Sequence, residues 1–277
     1  MAEPEGTDWA TWRGRTEATL DAVSLSPLTA LAATFDRAAP SDTLPPLWHW
    51  LYFLPIAAMS EVGPDGHPKR GSFLPPIALP RRMWAGGRLT FHDAPRKSEA
   101  ISRTSTIVDV SEKAGKTGAM AFVTVRHDIS TPRGPAITEE QDIVFLDMPK
   151  VFAPPTPTHL PDALDFDTAR VVDPVLLFRF SALTFNGHRI HYDRTYAQDV
   201  EKYPGLVVHG PLQAMLLMEA ATARAQKRPK SFEFRAVRPL FDFETLRVCG
   251  KVRDDGGLDL FTANAEGHVS MRGALQW

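Results

Sequence analysis

From Phe180 to Gly210 the chain reads FSALTFNGHRIHYDRTYAQDVEKYPGLVVHG, with Asn186, His188, His191 and Asp193 crowded into one short stretch. Imidazole exchanges protons near neutral pH, so histidines beside an amide and a carboxylate can carry a proton to or from water or a carbon acid. A polar surface loop with purely structural histidines would show the same composition. His188 and His191 have the spacing of a helical metal pair, but a zinc centre needs a third protein ligand and HRIH lacks a recognisable partner motif, so no metal is expected. Further on, VVHGPLQAMLL puts Gly210 and Pro211 at the start of a helical pattern. Proline suits the first helical turn, and the unpaired amides there carry partial positive charge that can face an oxygen gaining negative charge. Taken alone, that motif is equally a well-started helix. The chain has no GxGxxG, Walker or GxSxG motif, so dinucleotide, phosphate-loop and serine-hydrolase chemistry lack support and no cofactor is expected.

The elements that must position these residues fall into two similar series. PLTALAATFDR, from Pro27, reads as an amphipathic helix, and LPPLWHWLYFLP after it as a loop or edge strand lining something apolar. Glycine and proline forbid regular structure from Gly63 to Gly87, and long irregular segments inside a domain are often functional. Four strand-like runs follow: RLTFHD, AISRTSTIVDV, AMAFVTVRHDIS and ITEEQDIVFL. The second series is read as a strand (VLLFRFSALT), the polar loop, a helix (GPLQAMLLMEAATARAQK) apolar on most sides, and further strands from Phe232 to Trp277. No residue-level repeat is visible, so the duplication rests on element order.

Composition bounds the rest. The 277 residues, 43% hydrophobic and 23% charged, suit two modules of ordinary domain size. The proline-rich VFAPPTPTHLP marks a linker at 151–161, leaving modules at 1–150 and 162–277. A net charge of -2 offers no field for nucleic acid or an anionic membrane, and the single Cys249 fits a reducing compartment. The start MAEPEGTDWATWRGRTEATLDAV is acidic and polar, unlike a secretory signal, and the apolar runs are too short to span a bilayer. A cytoplasmic protein without membrane or nucleic-acid partners is expected, with a homodimer as its possible assembly.

FNGHRIHYD followed by VVHGPLQAMLL resembles the signature of MaoC-like hotdog hydratases, and GHPKRGSFLPP and RRMWAGG resemble the double hotdog subgroup. That subgroup includes mitochondrial-type 3-hydroxyacyl-thioester dehydratases and mesaconyl-C4-CoA and itaconyl-CoA hydratases. The resemblance covers the chain from about Trp48 to its end. It implies an α+β double hotdog, each module an antiparallel sheet wrapped around a long helix. It also implies a hydratase or dehydratase acting on an acyl-CoA thioester. In that alignment His191 matches the catalytic histidine and Gly210 the glycine whose amide polarises the thioester carbonyl. Asn186 stands where most relatives have aspartate, and since an amide is no general base it is assigned to orienting water. Trp48, Trp84, Arg81 and Arg82 are candidates for lining the acyl or pantetheine pocket. Arg189 is the candidate for binding a free carboxylate of an itaconyl or mesaconyl group. A dehydratase of fatty acid synthesis, a hotdog thioesterase and a non-catalytic thioester-binding protein are the alternatives.

Overall fold

Alternation of apolar and polar residues between Ala100 and Leu146 gives three long antiparallel strands, with Ala121, Val123, Val125 and Ile129 among the inward positions of the middle one. The computed structural model describes residues 9–115 and 118–277; the acidic start Met1–Asp8, read above for its lack of a signal segment, lies outside them. The first half contains β1 (Thr16–Ala22), α1 (Leu25–Thr34), β2 (Arg81–Phe91), β3 (Ala100–Gly115), β4 (Gly118–Thr131) and β5 (Gly134–Leu146). The second contains β6 (Phe166–Arg170), α2 (Pro174–Leu183), α3 (Arg194–Asp199), α4 (Gly210–Ala225), β7 (Ser231–Ala236), β8 (Leu246–Val252), β9 (Leu258–Ala263) and β10 (Val269–Gln276).

These strands form one antiparallel sheet in the order β1-β3-β4-β5-β2-β7-β10-β9-β8-β6. Counted from its own first strand, each half therefore repeats one order, with the second strand on the inside, and the halves join edge to edge through β2 and β7. The helices repeat as well. Leu28, Leu31 and Ala32 are the buried residues of α1, and Leu177, Phe180 and Ser181, each 149 positions later, are those of α2. The two helices pack on each other. The repeat is one of burial, not of residue identity, which is why the sequence hides it.

Several local expectations give way. VLLFRFSALT is helical: Asp173 caps it by accepting from the Leu176 amide at 2.8 Å, and Pro174 opens the first turn. A short apolar run bounded by turn residues suits a buried helix as well as a strand, and here the cap decides. The long helix expected in each module exists in the second only, as α4, which packs against β8, β9, β10 and β2. In the first half α1 has 10 residues, and the proline-rich chain from Phe35 to Pro80 makes short 3-10 turns. One of these, Trp48–Leu51, buries Trp48, His49 and Leu51 in the main core, so LPPLWHWLYFLP is neither edge strand nor open loop. β2 also begins at Arg81, inside the stretch read as irregular. The 151–161 segment is extended, bridged at His159 to His268, and its Phe152 ring packs on Tyr203 and Phe241. Among the described residues no helix is long and apolar enough to cross a membrane.

The seam explains the glycines of RRMWAGG. At the β2/β7 pairing a methyl group on Gly86 would stand 2.6 Å from the Phe234 carbonyl oxygen, and one on Gly87 3.0 Å from the Glu140 oxygen and the Phe234 ring. Backbone rather than a movable side chain is met at Gly86. Gly86→Ala is therefore expected to destabilise the fold by about 1–3 kcal/mol. Denaturant unfolding compared with an exposed control such as Thr90→Ala checks it; equal midpoints would show that the strands do not approach so closely.

Candidate active site

The polar loop is shaped by the helix before it. The Phe185 backbone is left-handed (φ 49°), the Asn186 amide returns to the Ser181 carbonyl (2.8 Å), and the Asn186 Oδ1 accepts from the His188 amide (3.0 Å). This turn sends the chain into a 3-10 turn, Arg189–His191, after which Asp193 caps α3 through the Tyr196 amide (3.0 Å). A second loop, from the first half, docks on it. The Arg189 amide donates to the Asp65 carbonyl (2.9 Å) and the Arg189 side chain to the Pro64 carbonyl (3.1 Å). Gly66, with φ 91°, lies so close to Gly187 that a methyl group on either would overlap the other's carbonyl. GPDGHP and FNGHRIH thus meet backbone to backbone.

The docking builds a row of four imidazoles. The His67 ring lies 4.3 Å from His188, His188 lies 5.5 Å from His191, and His191 stacks on His209 at 3.7 Å. Each is fixed by a hydrogen bond. His67 Nδ1 contacts Asp65 (3.0 Å), His188 Nε2 contacts Glu201 (3.1 Å) and His209 Nε2 contacts Ser181 Oγ (2.8 Å). His191 Nδ1 lies 2.7 Å from the Val207 carbonyl, an acceptor only, so Nδ1 carries the hydrogen and Nε2 is left with its lone pair. No described residue bonds that Nε2, and it keeps accessible surface although His191 is 7% exposed. Burial, and then His209 and His188, hold its pKa well below 6.5, so it is a neutral imidazole at physiological pH. Burial likewise brings His67 and His209 to about 3. Burial alone would raise the Asp65 carboxyl, but its hydrogen bonds with the His67 ring and amide outweigh it and keep it ionised.

α4 starts beside this row. His209 is its N-cap residue and Gly210 its first residue, and neither the Gly210 nor the Leu212 amide donates to an acceptor among the described residues. Pro211 has no amide hydrogen. The helix start thus presents free donors where an oxygen bearing negative charge would be stabilised. From the first half, the Trp84 carbonyl lies 3.9 Å from where a Gly210 methyl would be. The start of α4 and strand β2 therefore face each other.

Of the residues picked from the sequence, His191, Asn186 and Gly210 are brought to this place, Asn186 through its turn with His188. Trp84 arrives from β2, its ring edge-on to Trp50 (5.0 Å) and Phe234 (5.8 Å). Arg81 reaches the same region but is bound to Glu201 (3.2 Å) and the Tyr203 hydroxyl. Trp48 is 1% exposed and donates to Glu219 of α4 (3.1 Å), which makes it a packing residue in place of a pocket wall. Arg189 is committed to Asp193 (2.7 and 3.0 Å) and Pro64 and lies over the Tyr196 ring, so the arginine picked for a carboxylate is already neutralised. Arg82 has no such partner. Asp65, His67, Glu201, Ser181 and Trp50 were missed. Only His67 carried a signal, as the histidine of GHPKRG in a glycine-rich irregular segment, and nothing in the spacing joins residue 67 to residue 188. Among the described residues no His, Cys, Asp and Glu side chains group as metal ligands. A surface cleft of about 460 Å³ between Pro40–Pro46, Phe91–Pro95 and the end of α4 shares no residue with the row.

A doubled strand order around one long helix, with a neutral imidazole and free helix-start amides facing the other half, is the arrangement of a double hotdog protein, and its relatives place it in the hydratase and dehydratase class. The chain belongs to the family Hydroxyacyl-thioester dehydratase type 2, which it matches over residues 47–242. It is 46% identical to mesaconyl-C(4)-CoA hydratase of Chloroflexus aurantiacus, over 97% of this chain and 98% of that one. The fold is shared with HtdX of Mycobacterium tuberculosis (TM-score 0.67, 15% identity, 95% of this chain and 99% of that one). It is also shared with another protein of that organism described as a double hotdog (TM-score 0.56, 15% identity, 96% of each).

The buried histidines set an acid limit on stability. His67, His191 and His209, and His127 at about 4, have folded pKa values below the ordinary 6.5, each through burial first. Between 6.5 and about 4 the unfolded chain takes up protons that the folded chain does not, so stability falls as pH falls, by about 1.4 kcal/mol per pH unit per histidine. The depressed carboxyls, Asp65 and Glu139 (about 2), add their loss only at lower pH. Denaturant unfolding at pH 7, 6 and 5 should show a steep decline; a flat profile would mean that these imidazoles are protonated in the fold.

Proposed function

We propose that the chain adds water to mesaconyl-C4-CoA to give citramalyl-CoA, and catalyses the reverse dehydration, with itaconyl-CoA as the related alternative substrate. The observation that carries the chemistry is the unpartnered Nε2 of neutral His191 next to the free Gly210 amide. The 46% identity over nearly the full length supports the substrate.

In this reading the thioester oxygen accepts from the Gly210 amide. His191 Nε2 takes a proton from water as its oxygen bonds to the β-carbon, and the double-bond electrons move onto the thioester oxygen. The enolate collapses as the α-carbon takes the proton back from His191, so one water supplies both OH and H. Asn186 cannot titrate. Its Oδ1 is held by the His188 amide and its Nδ2 has no protein partner, which leaves it a donor to hold the water. Arg81 acts through Glu201, which fixes His188, and Trp84 walls the acyl group.

The modules of this enzyme are taken as 1–150 and 162–277, joined by 151–161, a division supported by the repeated strand order. A cytoplasmic site of action is supported by Cys249, a buried free thiol raised to about 12 by burial and Asp167, which is inert as a reduced group.

Loss of enoyl-thioester absorbance with mesaconyl-C4- and crotonyl-CoA, and chromatographic detection of citramalyl-CoA from itaconyl-CoA, whose double bond is not conjugated with the thioester, test the reading, with thiol release followed in parallel. The highest kcat/KM is expected for mesaconyl-C4-CoA, without thiol release. His191→Ala should lower kcat about 10²–10⁴-fold and Asn186→Ala by less. Thiol release as the main reaction would make the chain a thioesterase, and a fully active His191→Ala would remove the base.

A further inference from the structure

Arg82 differs from every arginine around it. Arg70 is spent on the carbonyls of Ile77, Leu79 and Pro80, Arg81 on Glu201 and Tyr203, and Arg189 on Asp193 and Pro64. Arg82 is half-buried, its side chain makes no hydrogen bond or ion pair with any described residue, and its guanidinium nitrogens keep accessible surface. The opposite charge it feels, the Asp65 carboxylate, is hydrogen-bonded to His67 and not to Arg82, so the guanidinium keeps its donors for a ligand that brings a further negative charge.

Its position relates it to the site already described. Arg82 is two residues before Trp84 on β2, about 7 Å along the strand at ~3.3 Å per residue, and the Trp84 carbonyl faces Gly210. On its other side Arg82 is electrostatically coupled to Asp65 and His67, and the His67 ring leans on His188. Arg82 therefore stands at the His67 end of the imidazole row, on the strand that two residues later faces the start of α4.

We propose that Arg82 is the carboxylate-binding residue of this enzyme, forking onto the free carboxylate of a dicarboxylic acyl thioester while the thioester oxygen rests on the Gly210 amide. This rests on the hydratase reading given above and names the group that selects its substrate. In a mesaconyl-C4 thioester the free carboxylate is attached to the carbon that water attacks, so its counter-charge must lie close to the base. The phosphates of CoA lie a full pantetheine arm away from the thioester, too far for a cation placed against the base's own row. A guanidinium fits a carboxylate with two parallel hydrogen bonds, and it keeps its proton in this half-buried place: burial lowers Arg82 only to about 10.

The test is the ratio of kcat/KM for mesaconyl-C4-CoA to that for crotonyl-CoA, which lacks the carboxylate. Arg82→Met should lower this ratio on the order of 10²-fold, and Arg82→Lys, which keeps the charge without the fork, by less. Because both substrates are read on one preparation, loss of folded enzyme cancels. If Arg82→Met does not fold, Arg82→Lys carries the test, together with calorimetric binding of succinyl-CoA against butyryl-CoA, where the preference for succinyl-CoA should weaken. An unchanged ratio, or equal loss on both substrates, overturns the proposal. Loss on CoA thioesters but not on the matching pantetheine thioesters would overturn it in favour of a phosphate contact. A wild type that hydrates crotonyl-CoA but not mesaconyl-C4-CoA would instead overturn the substrate reading.

Discussion

The pairing of β2 with β7 is the constraint on which the rest depends. It turns two five-stranded sheets into one, and it works because Gly86 and Gly87 let the backbones approach where any side chain would meet the Phe234 carbonyl or ring. Through it, Arg81, Arg82 and Trp84 of the first half are carried to the start of α4 in the second. The second point of union is the loop contact, Gly66 on Gly187 with the Arg189 amide on the Asp65 carbonyl. Strand seam and loop contact fix the halves at separate places, which leaves little freedom for the site formed between them.

The polar groups behind that site are buried, and burial is tolerated because nearly all are paired. Glu201, 1% exposed, is shared between His188 and Arg81, so one carboxylate ties the histidine loop to β2. Glu139, also 1% exposed, takes His49, Trp50 and Gln141 at 2.9 Å each. By holding the Trp50 indole it sets the ring that stands edge-on to Trp84. Each half thus has one buried glutamate bracing an aromatic or imidazole wall.

Desolvation also sets the protonation of His191. A histidine with Nδ1 bonded to a carbonyl and its ring stacked on another imidazole has no counter-charge to stabilise the imidazolium, so it stays neutral. A loop histidine in water would titrate near 6.5 and be partly protonated, and so partly unavailable as a base, in mildly acidic cells. The packing that costs stability in acid is the same packing that keeps the lone pair free.

Much of the fold was legible in the sequence because it depends on local rules. Alternation gave β3, β4 and β5, the GP pair with an apolar run gave α4, and the NGHRIH loop with VHGPL marked the candidate site on residues close along the chain. Where the signal was local but ambiguous, as for the apolar run of α2, the Asp173 cap decided in favour of helix. What the sequence could not express is which distant groups neutralise one another. Arg81, Arg82 and Arg189 are equivalent as residue types, and only the tertiary structure assigns the first to Glu201 and the third to Asp193, leaving the second without a partner. The same holds for Asp65 and His67, which lie more than a hundred residues from His188 and meet it only when two glycine loops dock. The types and short-range spacing of the residues determined the chemistry available to this protein; pairing over long sequence separations, set by sheet closure and by exclusion of water, decided which of those residues remain free to perform it.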